Sequence, residues 1–252
     1  MKPVSPDLPL ATDTTVGPVT RPTALAHVHH TVVSCKQCPR LRAYCTQVAR
    51  EKKRAHRDET YWGKPVPGFG DPDARVLLVG LAPAAHGANR TGRVFTGDGS
   101  GDFLMAALHR TGFASIPTSQ RADDGLRLDG AYILAAVRCA PPDNMPSPDE
   151  RARCLVHLDA ETRALPHVRV VVALGKVAFD AWLQLLQHRG TRIRPKPVFG
   201  HGVTVRLPGP AGCVLLGCYH PSRQNTNTGT LTPPMMTTVF RRARRLAGLR
   251  TT

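Results

Sequence analysis

From about residue 74 onward, short apolar runs alternate with segments of helical period, and that alternation dictates a parallel sheet covered by helices on both faces. The run at 168–174 is mostly Val with one Leu, as a strand buried on both faces requires. Residues 75–80, 131–137, 203–206 and 213–218 read as further strands. Between them, 102–110 reads as a helix with Phe103, Leu104, Ala107 and Leu108 on one face. Ser147, Pro148 and Glu150 form an N-cap, a first-turn Pro and the returning carboxylate of a capping box, opening a helix to about Leu165. Gly175 opens another to about His188, and a basic helix closes the chain. The expected fold is α/β, a three-layer α/β/α arrangement around a central, mainly parallel sheet of four to five strands.

With 252 residues and no internal repeat, the chain fits one domain over residues 26–252 behind a Pro- and Thr-rich leader, read as disordered, over residues 1–25. No apolar run approaches the roughly 18 to 20 residues of a membrane-spanning helix, so no membrane partner is expected. The first 22 residues lack the basic and apolar regions of a secretory signal. A reducing, cytoplasmic setting follows, in which seven cysteines suit metal or redox chemistry better than disulfides. The net charge of +16 draws polyanions such as nucleic acid. The run Arg241, Arg242, Arg244, Arg245 reads as a solvated helix face rather than a specific clamp.

In open α/β sheets a ligand sits beyond the carboxyl ends of the strands, which directs attention to the loops after Gly80, Val137 and Cys218. The first carries five glycines from Gly80 to Gly99 together with His86, Asn89, Arg90, Phe95 and Asp98. Glycines there let backbone amides approach a ligand closely. Neither a dinucleotide fingerprint nor a phosphate-loop Lys is present. The third loop begins His220-Pro221-Ser222-Arg223, and Pro221 biases His220 to an extended backbone that presents its imidazole above the sheet.

Cysteines form a third constellation: Cys35 and Cys38 with two residues between them near the start, Cys139 after the second strand, and Cys154 in the helix beyond. Four thiolates can ligate an iron–sulfur cluster or a structural zinc. Cys45 is a rival ligand, whereas Cys213 and Cys218 read as small hydrophobes of a strand.

Together these constellations resemble the uracil-DNA glycosylase superfamily, and specifically its family 5, over about residues 35–249. Gly80-Leu81-Ala82-Pro83, the stretch His86 to Arg93 and Phe95-Thr96-Gly97-Asp98 resemble that family's first motif, and the stretch His220 to Asn225 its second. The resemblance implies a monofunctional glycosylase of base excision repair, acting as a monomer at the nucleoid. It would flip uracil, and other deaminated bases such as hypoxanthine and xanthine, out of double- or single-stranded DNA and hydrolyse the N-glycosidic bond. It implies a [4Fe–4S] cluster on Cys35, Cys38, Cys139 and Cys154. Substrate contacts fall on Gly80, Leu81, Ala82, Phe95, Ser222 and Arg223, with Phe95 stacking on the base and backbone amides of residues 81–85 meeting its carbonyl edge. His220 would donate to the departing base. Ala82 stands where other branches place a water-activating Asp or Asn, leaving Asn89, Asn144 and Asp98 as candidates for orienting water.

Two other classes stay open on sequence: a non-catalytic nucleic-acid-binding protein whose cysteines hold zinc, and a cluster-bearing nuclease or lyase. The latter lacks paired carboxylates for two metals and an isolated Lys in these loops.

Overall fold

The computed structural model describes residues 21–208 and 213–250. In chain order the elements are α1 (Arg21–Val33), α2 (Pro39–Glu51), β1 (Phe69–Gly70), β2 (Val76–Gly80), α3 (Ala88–Thr91), α4 (Gly99–Arg110), β3 (Ala131–Ala135), α5 (Pro148–Arg163), β4 (Val170–Leu174), α6 (Lys176–His188), β5 (Thr204–Arg206), β6 (Val214–Cys218), α7 (Arg223–Asn227) and α8 (Pro233–Leu246). Residues 1–20 of the expected leader lie outside the described residues. Its last five begin α1, with Leu25 buried.

The sheet has six strands in the order β1-β3-β2-β4-β6-β5. The inner four, β3, β2, β4 and β6, run parallel, and β1 and β5 close the edges antiparallel. The five strands read from sequence are all present. The sixth, β1, is two residues long and pairs Phe69 with Ile133 and Gly70 with Tyr132, too short to show a period.

Alternate residues of each central strand point to opposite layers, which is why both faces must be covered. On one face Val76, Leu78, Ile133, Val172 and Leu216 pack with Leu104, Met105 and Leu108 of α4 and Val239 and Phe240 of α8. On the other, Leu77, Val79, Leu134, Val171 and Leu215 pack with Leu158 of α5 and Phe179, Trp182 and Leu185 of α6. The α5 capping box forms as read: Ser147 Oγ accepts from Glu150 N at 3.2 Å, and Glu150 Oε2 accepts from Ser147 N at 2.8 Å. The helix expected from 102 starts earlier, at Gly99, because the Asp98 carboxylate accepts from Gly101 N and caps it.

A charged pair is locked inside. Glu161 of α5 is fully buried, with Oε2 2.6 Å from Arg138 Nη1, and Oε1 accepts from Tyr132 Oη at 2.6 Å and Gly68 N at 2.9 Å. His29 of α1 lies 3.2 Å from the same carboxylate, so the network pins α1 and α5 to the sheet. Among the described residues no helix is long and apolar enough to cross a membrane.

Candidate active site

The loops after β2, β3 and β6 meet at the carboxyl edge of the sheet around a cleft of about 820 Å³. That size lies within the usual range for a small-molecule pocket. Leu81, Ala82, Ala84 and Ala85 line one side, Phe95 and Asp98 another, with Asn144, His220, Ser222 and Arg223 completing the wall.

Gly80 ends β2 with Phe95 packed directly over it: a methyl group there would lie 2.8 Å from the Phe95 ring. Phe95 takes a left-handed backbone, φ 49°, which a bulky residue adopts only when its surroundings enforce it. Beyond Gly80 the chain turns without regular structure. Among the described residues, the amides of Ala82, Ala84 and Ala85 donate to no protein acceptor. Three free donors in a cleft wall make an edge that binds a carbonyl or an anion.

His220 follows β6, and its ring lies 5.9 Å from that of Phe95, with 36° between the planes. Its backbone carbonyl accepts from Asn225 Nδ2 at 2.8 Å, and Ser222 caps α7 by accepting from Asn225 N. Burial depresses the imidazole pKa to about 4, so the ring is neutral near pH 7 and keeps one N–H to donate. Among the described residues neither ring nitrogen has a hydrogen-bond partner.

The three candidates for orienting water separate. Asn144 reaches the cleft from the turn after β3, exposed, in a left-handed conformation with φ 56°, next to Asp143 at φ 53°. Asp98 also lines the cleft. Its carboxyl pKa is raised chiefly by burial, against the pull of the Gly101 and Ser100 amides. Asn89 does not reach the cleft. The α3 turn rotates it inward, fully buried, with Nδ2 donating to Cys45 O at 3.3 Å and Ala85 O at 3.4 Å. Asn89 therefore sits beneath the loop rather than at its surface.

Behind Ala82, Cys35, Cys38, Cys139 and Cys154 line a second, smaller cavity with Arg42, Arg138, Arg153 and His157. Arg138 N donates to Cys154 Sγ at 3.3 Å, and Arg42 Nη1 approaches Cys139 Sγ at 4.0 Å. Burial pushes the Cys154 thiol up to about 12 and raises Cys38. Cys45 does not line this cavity; it is buried beside Cys139 and donates to Ala140 O. Among the described residues no three His, Cys, Asp or Glu side chains gather closely enough for a single metal ion.

The cleft also holds residues that reading the strand-end loops missed. Lys53 and His56 line it from the segment after α2, beside His86. Their signal was the basic run Lys52, Lys53, Arg54, Arg57, which precedes every recognisable strand.

Comparison with known proteins follows the same outline. The description "Uracil DNA glycosylase superfamily" matches residues 67–244. A type-5 uracil-DNA glycosylase of Mycobacterium tuberculosis (strain CDC 1551 / Oshkosh) is 55% identical over 216 residues, 85% of this chain and 79% of that protein. One from Thermus thermophilus is 54% identical over 219 residues, 87% of this chain and 96% of that protein. Another from Pyrobaculum aerophilum is 44% identical over 217 residues, covering 86% and 91%.

Proposed function

Because the chain belongs to the uracil-DNA glycosylase superfamily, we propose that its carboxyl-edge cleft receives a base extruded from DNA. The protein is a DNA glycosylase that excises uracil in base excision repair, a hydrolase of N-glycosyl bonds. The observation that carries the assignment of chemistry to the cleft is the pairing of Phe95 and His220 in one wall with three unclaimed amides.

A base inside the duplex stack is out of reach, so unstacking must be offset by contacts to the phosphates and within the cleft. Phe95 offers the stacking face. The amides of Ala82, Ala84 and Ala85 donate to the base's carbonyl edge, in the stretch that begins with Gly80 and Leu81. As the C1′–N bond breaks, its electron pair leaves with the base while the sugar becomes cation-like. The neutral His220 N–H donates to that developing anion, and a preorganised donor of this kind contributes about 3 kcal/mol. Water, held by Asn144, whose side-chain amide has no protein partner among the described residues, then adds at C1′, and the proton it loses passes to the departed base anion, leaving a C1′ hydroxyl and the neutral base. Asp98 holds the start of α4, and Ser222 and Arg223 meet the strand at the mouth.

Ala82 carries no carboxylate to activate water, so the bond must break largely before water attacks. Such a transition state suits bases that leave readily, and the proposed range includes hypoxanthine and xanthine beside uracil, in double- or single-stranded DNA. The enzyme works as a monomer in the cytoplasm, on the nucleoid. Release of base from duplexes containing uracil, hypoxanthine or xanthine, read as alkaline strand scission, tests the assignment. A protein that binds such duplexes without creating alkali-labile sites would overturn it.

Cys35, Cys38, Cys139 and Cys154 would hold a [4Fe–4S] cluster. The donor set supports this: four free thiols share one cavity with three guanidinium groups that offset the negative charge of a thiolate-bound cluster. When bound, it supplies cross-links between the start of α2, the end of β3 and α5.

A further inference from the structure

We propose that Lys53, His56 and His86 form a phosphate-gripping rim for the lesion-bearing strand, continuous with Arg223. This rests on the reading of the cleft as a base pocket. An extruded base stays attached to its sugar, so the phosphates flanking it must lie at the cleft mouth, and cations there meet that strand.

All four residues line the cleft. The ammonium of Lys53 has no carboxylate or carbonyl partner among the described residues, while its backbone N–H donates to Tyr61 Oη at 3.3 Å. Tyr61, buried, keeps its own O–H for Nδ1 of His86 at 3.1 Å, which leaves the exposed imidazole its Nε2–H to donate outward. Burial, then the nearby cations Lys53, His56 and Arg90, lowers the His86 pKa and keeps that donor neutral. His56 is fixed by Glu59, 2.7 Å away, and Arg90 pairs with the same carboxylate, which does not line the cleft; the acids that do are Asp98, which caps α4, and Asp143.

The rim is contiguous. Asp98 packs against Gly87, the neighbour of His86, and Arg223 lies over Gly99, where a methyl group would meet Nε at 3.3 Å. Lys52 takes a left-handed backbone, φ 56°, which ends α2 and turns Lys53 into the cleft.

The test measures affinity for a duplex with a tetrahydrofuran abasic site as a function of KCl. Each phosphate neutralised contributes about 0.9 to the slope of log K against log salt. Lys53→Gln should lower the slope by about one unit and weaken binding about three- to tenfold at low salt. Lys53→Arg should restore the slope. His86→Leu should weaken binding with the slope kept, because a neutral donor displaces no counterion. Lys196→Gln, whose ammonium pairs with Asp180 outside the cleft, is the control and should match the wild type. A wild-type slope in Lys53→Gln, or an equal loss in Lys196→Gln, overturns the rim. So does borohydride trapping of the wild type on cleaved DNA that vanishes in Lys53→Gln, since the amine would then contact the sugar. If wild-type protein releases no base yet these slopes hold, the glycosylase reading fails while the rim stands.

Discussion

The Phe95 and His220 rings stand 5.9 Å apart, one on the loop after β2 and the other on the loop after β6. That is contact distance for aromatic rings. A group stacked on Phe95 therefore has its edge within reach of the imidazole N–H. The two motifs, far apart in sequence, thus meet in one cleft.

Substituting His220→Ala should lower turnover on uracil-containing duplex about a hundredfold or more, the usual effect of losing one preorganised donor, while affinity for DNA stays near wild type. Because burial holds this pKa at about 4, turnover should show no inflection near 6.5, the ordinary imidazole value. Equal loss of affinity and turnover would make the imidazole a packing residue.

Gly80→Ala should mimic Phe95→Ala. The added methyl would sit 2.8 Å from the Phe95 ring and force it off the strand end. Base–aromatic stacking is worth about 1–3 kcal/mol, so each single variant should lose about tenfold or more in kcat/KM. The double variant should lose little beyond either one, because both remove the same contact.

Iron content separates the cysteines. Cys154→Ala should purify with little iron and reduced solubility, since metal affinity in such sites is folding free energy. Cys45→Ala, outside the cavity, should keep the iron and brown colour that the proposed cluster gives the wild type. Full solubility and activity in Cys154→Ala would remove that residue from the ligand set.

The buried Glu161 sets an acid limit on stability. Although burial alone raises its pKa, the neighbouring Arg138 and the hydrogen bonds from His29 and Tyr132 hold it at about 2, below the ordinary 4.5. A carboxyl depressed in the folded state stabilises fully above 4.5, and that stabilisation drains away as pH falls toward 2. Glu161→Gln leaves Arg138 buried without a counter-charge, which costs about 3–5 kcal/mol. Urea unfolding at pH 7 should show that loss, and the variant's stability should fall less steeply than the wild type's between pH 4.5 and 2.

The inner strands were legible because a strand covered on both faces must be apolar at every position, and Val170–Leu174 obeys this without exception. The α5 start was legible because its cap is written in side chains. Asn89 shows where such reading ends: adjacency within a motif does not reveal that one turn of helix, α3, points a polar residue inward. Lys53 shows the converse, since a charge run ahead of the first strand carries no sign of what it packs against until the chain folds it beside the cleft. The Arg138–Glu161 pair was equally hidden, because a charge alone does not declare its own burial.

Asn144 and Asp98 both line the cleft, and their variants divide the work between them. Asp98 Oδ1 already accepts from Gly101 N at 2.9 Å as the cap of α4. Asn caps as well as Asp, so Asp98→Asn should preserve stability, whereas Asp98→Ala should cost about 1 kcal/mol. Asn144 accepts no such duty. It occupies a left-handed conformation at the cleft with its amide unclaimed, the kind of local strain that persists where function requires it. Asn144→Ala should therefore cut the single-turnover rate by about tenfold or more while the melting temperature falls only slightly, as Ala tolerates a positive φ less well than Asn, and Asp98→Asn should cut the rate less. The reverse order of rates would move the water to the carboxyl of Asp98.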